Sequence, residues 1–119
     1  MKEFVLIAAH GSKNPKTPEE IRELSARLST ELRGIPVEIA YLEILKPDIA
    51  EGIERCVGHG AAKITVLPYF LNTGKHVEQD IPTLVDAARF KYPEVRIDLL
   101  PHVGAHPSMV QLCKDLLKG

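Results

Sequence analysis

The chain has 119 residues, of which 45% are hydrophobic and 26% are charged, a composition typical of a folded globular domain. Its net charge of −1, with three Tyr, three Phe and no Trp, argues against a nucleic-acid surface, which needs a basic stripe and stacking partners. No apolar run approaches the ~20 residues that span a bilayer, and "MKEFVLIAAHG" is too short for a signal peptide. We expect one cytoplasmic domain over residues 1–119, with neither nucleic-acid nor membrane partners.

Strands alternate with helices four times along the chain. The first helix begins at Thr17 in our interpretation, with Pro18 in its first turn and Glu20 completing a capping box, and it ends at Gly34. The predicted strands are residues 4–9, 37–44, 64–70 and 95–100. The remaining helices are predicted at residues 48–58, 80–92 and 107–117.

The apolar pattern of the strands predicts their order in the sheet. Residues 4–9 and 64–70 are continuous apolar runs, which are typical of strands covered on both faces, whereas the other two strands also carry charged residues. The first and third strands are therefore expected in the centre. With right-handed crossovers, this predicts an α/β three-layer sandwich whose four-stranded parallel sheet has the order 2-1-3-4.

Two histidines follow the two central strands. His10 comes directly after the first strand, and His76 lies in the loop after the third. Ligands of open α/β sheets bind beyond the carboxyl ends of the strands where the chain direction switches, which here is between these two strands. Because neighbouring strands lie about 4.8 Å apart, the two imidazoles could share one ion or substrate.

Two neutral imidazoles without a thiolate would form an incomplete shell suited to Fe, Co, Ni or Zn, and incomplete coordination suits transfer of the ion. The alternative is that both are loop histidines that cap backbone groups. Glu43 is either the polar end of an edge strand or an acid that helps the metal or the proton path.

Cys56 and Cys113 are predicted to be buried free thiols, since no Cys-x-x-Cys spacing is present.

Other local patterns favour less specific functions. "TGKH" lacks the earlier glycine and the following Ser or Thr of a phosphate-binding loop. Gly11 and Ser12 are expected to let the loop backbone approach a ligand. Asp80 is expected as a helix N-cap, or otherwise as a partner that orients His76. His106, before Pro107, either belongs to the start of the last helix or faces a ligand pocket.

Four stretches resemble one family. "LIAAHGS", "YLEILKPDI", "LPYFLNTGKHVEQDIP" and "GAHP" together look like the short-form sirohydrochlorin chelatases of the class II chelatase family. The resemblance spans almost the whole chain and implies a chelatase-like half domain. It implies an enzyme, a lyase that inserts Co²⁺ or Ni²⁺, or else Fe²⁺, into sirohydrochlorin for cobalamin, coenzyme F430 or siroheme, with no permanent cofactor.

The resemblance also implies roles for individual residues. His10 and His76 would bind the metal, and His10 would also accept a proton. Because one imidazole cannot ligate the metal and take up a proton through the same nitrogen, the chemistry leaves water, Glu43 or a histidine of a partner subunit as the path of the second pyrrole proton. The implied tetrapyrrole contacts are Lys46, Leu71, Asn72, Thr73, Gly74 and Lys75.

The charge and size of the tetrapyrrole add two expectations. Because sirohydrochlorin is a polycarboxylate, Lys13, Lys46 and Lys75, with free amides at the starts of the first three helices, are expected to supply positive charge. One crevice covers only part of such a macrocycle, so a homodimer is expected. A non-catalytic metal or tetrapyrrole carrier that uses the same two histidines is the alternative function.

Overall fold

The computed structural model describes residues 2–119. The strands are Glu3–Ala9 (β1), Val37–Tyr41 (β2), Lys63–Pro68 (β3) and Arg96–Leu99 (β4). The α-helices are Lys16–Glu31 (α1), Ile49–Gly58 (α2), Ile81–Lys91 (α3) and Ser108–Lys118 (α4). A π-helical turn, His76–Asp80, leads into α3, and a 3-10 turn, Val103–Ala105, precedes α4.

The strands form one parallel sheet in the order β2-β1-β3-β4. In the centre of the sheet, Ile7 of β1 lies opposite Ile39 of β2 on one side and Leu67 of β3 on the other. The predicted order, direction and central position of β1 and β3 are therefore confirmed. The carboxyl ends of β1 and β3 lie side by side, which places the loops that follow them at one edge of the sheet.

Apolar side chains bury both faces of the sheet, which makes the predicted three-layer sandwich. On one face, Ile7, Val37 and Tyr41 pack with Ile21 of α1. On the other face, α2 and α3 cover the sheet. Fully buried members of that second core include Leu6, Ile49, Ile53, Ile64, Val66, Ile81 and Val85. Because β1, β2 and β3 contribute side chains to both cores, the register of these three strands is strongly specified.

The second and third strands are shorter than the sequence predicted. The second ends at Tyr41 rather than at residue 44, and the third ends at Pro68 rather than at residue 70. After Tyr41 the chain turns sharply. Leu45 N donates to Glu43 O at 2.8 Å, and Tyr41 N donates across the turn to Pro47 O at 2.9 Å. Glu43 therefore lies on a tight loop above the sheet.

The helix starts differ from the predicted pattern. The prediction of a capping box at Thr17 is wrong, because α1 already begins at Lys16. Asn14 starts it earlier: its side-chain Oδ1 accepts from Lys16 N at 2.9 Å and its backbone carbonyl accepts from Thr17 N at 3.1 Å. A capping box does occur at α2, where Asp48 and Glu51 each accept the other's backbone N–H.

The two cysteines have opposite environments, and neither forms a disulfide. Cys56 is fully buried in the second core, where burial raises the pKa of its thiol to about 12. The thiol therefore stays protonated and unreactive across the physiological range. Cys113 is exposed on α4, so the prediction of a buried thiol is correct for Cys56 and wrong for Cys113.

Helix α4 lies close to its predicted position in the sequence, but it does not pack against either face of the sheet. It contains no buried residue, and its apolar side chains Val110, Leu112, Leu116 and Leu117 are exposed. Its polar and apolar residues nevertheless segregate as on an amphipathic helix. The helix thus presents an apolar face that no element within residues 2–119 buries.

No helix of residues 2–119 combines the length and the apolar character needed to cross a membrane.

Candidate metal centre

The loop after β1 is joined to the loop after β2 by backbone hydrogen bonds. Leu42 N donates to Ala9 O at 2.9 Å, and Glu43 N donates to His10 O at 3.1 Å. These bonds continue the pairing of β1 with β2 for two residues beyond the end of the second strand. They hold Glu43 beside His10, although the two residues are far apart in the chain.

Gly11 allows this close approach. Its φ is +105°, and a Cβ atom built on it would lie 1.9 Å from the carbonyl oxygen of Glu43. From the sequence, Gly11 and Ser12 were expected to bring the backbone close to a ligand. The structure shows instead that Gly11 brings it close to the Glu43 loop, while Ser12 Oγ accepts a hydrogen bond from Asn14 N at 3.0 Å.

His10 and Glu43 form the first imidazole–carboxylate pair. His10 Nε2 lies 2.6 Å from Glu43 Oε1, and both side chains are about half exposed. The structure bears on both interpretations of Glu43. Glu43 is not the last residue of a strand, and its carboxylate faces His10. Solvent exposure keeps both groups accessible to an incoming ion.

His76 and Asp80 form the second pair. His76 opens the π-helical turn, whose backbone bond runs from Ile81 N to His76 O, and His76 Nδ1 lies 2.6 Å from Asp80 Oδ2. Asp80 has helical dihedrals and makes no cap hydrogen bond, so the N-cap prediction is wrong. The other interpretation, a residue that contacts His76, agrees with the structure.

The two pairs meet at the carboxyl edge of the sheet. The ring centroids of His10 and His76 are 5.1 Å apart, with an angle of 45° between the ring planes. One ligand atom from each of His10, Glu43 and His76 can be chosen so that all three lie within 4.8 Å of one another. The strand order predicted this meeting of the imidazoles. That the three residues bind a metal ion stays a prediction.

The loop that precedes His76 is exposed along its whole length, residues 71–75. Among the ion pairs of residues 2–119, none includes Lys75 or Lys13. Lys46 differs, because its Nζ lies 3.3 Å from Glu51 and 3.5 Å from Asp48. The hydrogen bond to Glu51 and the two negative charges raise the pKa of Lys46. Its charge is thus partly neutralised within the protein.

The helix amides contribute less to an anion site than the sequence suggested. At α2, the Asp48 carboxylate already accepts from Glu51 N at 2.8 Å. At α1, Asn14 accepts from the first amides, and at α3 the Ile81 amide is bonded within the π-helical turn. The amides described above at the starts of α1, α2 and α3 are already bonded within the protein, so the prediction that they are free is wrong. The unpaired lysines are the better source of positive charge.

An apolar cavity of about 440 Å³ lies at the carboxyl ends of β3 and β4, the edge that also carries the two histidines. His106 lines it, and its Nδ1 accepts a hydrogen bond from Ser108 N at 3.0 Å. Both interpretations of His106 therefore agree with the structure, since it caps the start of α4 and faces a pocket. The lining residues are Leu67, Leu100, Pro101, His102, Val103, Ala105, His106 and Pro107.

Gly104 is a site-forming residue that the sequence analysis did not single out. Gly104 N donates to Phe70 O at 2.9 Å, and a Cβ on Gly104 would lie 1.7 Å from Leu71 O. The residue therefore lets the 3-10 turn pack directly against the loop before His76. The only signal in the sequence was its place in the "GAHP" stretch, which gave no physical reason for a glycine.

Comparison with known proteins identifies the family of this chain. Residues 4–119 match the profile of the CbiX family. The sirohydrochlorin ferrochelatase of Bacillus subtilis (strain 168) is 34% identical over 99% of this chain and 45% of its own length. The sirohydrochlorin cobaltochelatase of Methanosarcina barkeri is 31% identical over 68% of this chain and 62% of its own length.

Solved structures give the same result for the fold. The sirohydrochlorin chelatase SirB of Bacillus subtilis, in complex with cobalt, superposes with a TM-score of 0.86 at 31% identity, over 99% of this chain and 50% of that one. A CbiX protein of Marinobacter aquaeolei VT8 gives 0.82 at 26% identity, over 98% and 94% of the two chains.

The fold and the imidazole pair define a protein of the chelatase-like α/β class. The chain belongs to the CbiX family, as the sequence resemblance to short-form sirohydrochlorin chelatases predicted. It spans about half or less of the length of the Bacillus subtilis and Priestia megaterium relatives that it matches.

Proposed function

We propose that this protein inserts a divalent metal ion into sirohydrochlorin. The meeting of His10, Glu43 and His76 within 4.8 Å is the observation that carries the proposal, because three such ligands leave part of the coordination sphere free. Its relatives are named as sirohydrochlorin ferrochelatases and cobaltochelatases. Co²⁺ or Ni²⁺, or else Fe²⁺, is the proposed metal, and the product would serve cobalamin, coenzyme F430 or siroheme formation.

The ligand set suits an ion that has to leave again. Two imidazoles and one carboxylate accept all three of these metals, and no thiolate is present to hold the ion tightly. The half-exposed side chains of His10, Glu43 and His76 leave the remaining coordination positions to water or to the nitrogens of the macrocycle. The protein would therefore need no permanent cofactor, since the metal is itself a substrate.

Proton removal can be coupled to departure of the metal. Insertion releases two protons from pyrrole nitrogens, and the imidazole nitrogens that held the ion become free as it moves into the macrocycle. His10 would then accept one proton at Nε2, where Glu43 at 2.6 Å stabilises the imidazolium. His76 could accept the second at its other ring nitrogen, since Asp80 already binds Nδ1. The charge of the site would be nearly unchanged across the reaction.

The surroundings of the histidines suit a large amphipathic anion. The apolar cavity beside β3 and β4 could receive part of the macrocycle, and the exposed loop 71–75 would contact its rim. Lys75 and Lys13 are free to pair with carboxylates of the substrate, whereas Lys46 would first have to leave Asp48 and Glu51. We therefore rank Lys46 below Lys75 as a substrate contact.

We also propose that the active form is a homodimer. The chain corresponds to about half of the cobalt-bound SirB structure, so a second copy would supply an equivalent amount of protein. Helix α4 offers the surface for this dimer, because Val110 and Leu117 are 76% and 88% exposed on an amphipathic helix.

Sedimentation tests the homodimer and should report about twice 13.2 kDa. Leu117→Asp should shift it to the monomer mass, while Phe90→Asp, on the exposed face of α3, should not.

A direct assay tests the function. Protein free of metal is mixed with sirohydrochlorin and Co²⁺ or Ni²⁺, and the absorbance change of metal insertion is compared with a protein-free control. A protein-dependent rate supports the chelatase. Tight binding of metal or tetrapyrrole without any rate above the control would instead favour the carrier function.

A further inference from the structure

The turn that carries His76 is wider than an α-helical turn. Its closing bond runs from Ile81 N to His76 O, five residues apart, whereas an α-helix closes over four. Single π-helical turns of this kind are often found at functional sites. Here the turn places the Asp80 carboxylate against the inner ring nitrogen of His76, with 2.6 Å between Oδ2 and Nδ1.

The Asp80 carboxylate makes no other hydrogen bond or ion pair within residues 2–119. Its backbone is helical, with φ −68° and ψ −49°, and its side chain caps no amide of α3. Asp80 is also not part of the cluster of ligand atoms formed by His10, Glu43 and His76. Its side chain is only 35% exposed, so its position is restricted, and its hydrogen bond is made to the His76 ring.

We propose that Asp80 is a positioning residue that holds His76 in the Nδ1–H tautomer and so presents a bare Nε2 to the metal. This inference rests on the proposed function, because it assigns a role within the same site. An ionised carboxylate can only accept a hydrogen bond, so Nδ1 has to carry the proton of the neutral ring. The lone pair needed for metal coordination then lies on Nε2.

The other imidazole has no equivalent arrangement. At His10 the carboxylate of Glu43 faces Nε2, and Glu43 belongs to the ligand cluster itself. A metal ion would thus take the place of a hydrogen bond at His10, whereas it could bind His76 without breaking the bond to Asp80. Asp80 can therefore keep orienting its imidazole while the metal is bound, whereas the bond from Glu43 to His10 has to break first.

Two measurements on the full-length protein test the proposal without sirohydrochlorin. The first is the ¹⁵N NMR signature of the neutral His76 ring, which in the wild type should show Nδ1–H. The second is calorimetric binding of Co²⁺. Asp80→Ala should weaken Co²⁺ binding by about 10- to 100-fold and shift the ring towards Nε2–H. Asp80→Asn keeps an acceptor oxygen and should restore most of the affinity.

Glu78→Ala is the matched control. It removes an exposed carboxylate from the same turn, so it tests loss of charge and of side-chain length without touching His76, and its Co²⁺ affinity should equal that of the wild type. If Asp80→Ala does not fold, the wild-type tautomer still decides, because the proposal requires Nδ1–H. A wild-type ring protonated at Nε2 would overturn the proposal, as would wild-type Co²⁺ affinity in folded Asp80→Ala. Absence of chelatase turnover would leave both readouts intact and would count against the proposed function alone.

Discussion

His10 and His76 each lie 2.6 Å from a carboxylate oxygen, but the two pairs arise in different ways. The His10–Glu43 pair joins loops that follow two different strands, and it depends on the backbone bonds that connect those loops. The His76–Asp80 pair is contained within five residues of one helical turn. One half of the site is thus built by the topology of the sheet, and the other half is built locally.

This difference means that the two halves can be perturbed separately. A change in the packing of the loops after β1 and β2 should alter the first pair and leave the second intact. A change within the π-helical turn should do the reverse. The two imidazoles belong to one cluster of ligand atoms, so either kind of change should appear in metal binding.

The largest expected effect comes from removing either imidazole. His10→Ala and His76→Ala should each lower the rate of metal insertion by about 10²–10⁴-fold, because each removes a ligand and a proton acceptor. Both rings are half exposed, so thermal unfolding should change little. Insertion assays with circular dichroism as the folding control check this. Full activity in either variant would remove that histidine from the site.

The first pair can be weakened without deleting an imidazole. Glu43→Gln should lower Co²⁺ affinity by about 10- to 100-fold, because a neutral amide is a poorer ligand than a carboxylate and neutralises less of the ion's charge. Glu54→Gln, at an exposed position on α2, is the control. Equal Co²⁺ affinities for the two variants, measured by calorimetry, would show that Glu43 is only a loop residue.

The loop packing can be tested through glycine. Gly11→Ala should reduce the free energy of unfolding by about 1–3 kcal/mol and weaken Co²⁺ binding, because the new methyl group would displace the Glu43 carbonyl. Gly34 also has a positive φ, +93°, but open space around it. Gly34→Ala should therefore cost only the backbone strain, about 1–2 kcal/mol, with unchanged Co²⁺ affinity. Unaltered Co²⁺ binding by Gly11→Ala would contradict the proposed dependence of His10 on this packing.

The smallest effects are expected at the lysines around the two pairs. Lys75→Ala should raise the KM for sirohydrochlorin severalfold, because it removes an exposed ion pair that contributes up to about 1 kcal/mol. Lys46→Ala should raise it less, since Lys46 already pairs with Asp48 and Glu51. The reverse ranking in steady-state kinetics would show that Lys46 leaves those partners to bind the substrate.

The sequence predicts the topological half of the site better than the local half. Continuous apolar runs marked β1 and β3 as central strands, and this alone placed His10 and His76 at one edge of the sheet. Glu43 was harder to interpret, because the alternating pattern after Tyr41 continues as if the strand did, whereas the chain turns there. Apolar patterning reports burial but does not report where a strand stops pairing.

Local interactions account for most of the wrong predictions. The Thr17 pattern fits a capping box, but the Asn14 side chain begins α1 earlier. Asp80 occupies a typical N-cap position before Pro82, yet the π-helical turn extends the helix past it and directs its carboxylate to His76. In each case a side-chain hydrogen bond accompanies a local structure that the residue types alone do not distinguish from the predicted one.

X-ray absorption of the Co²⁺-loaded protein tests most directly whether the two pairs serve one ion. We expect two imidazole ligands for each bound cobalt, together with oxygen ligands. The imidazole scattering should fall to one ring in His10→Ala and likewise in His76→Ala. A wild-type spectrum without imidazole scattering, or one that neither substitution changes, would contradict a shared metal site at this edge of the sheet.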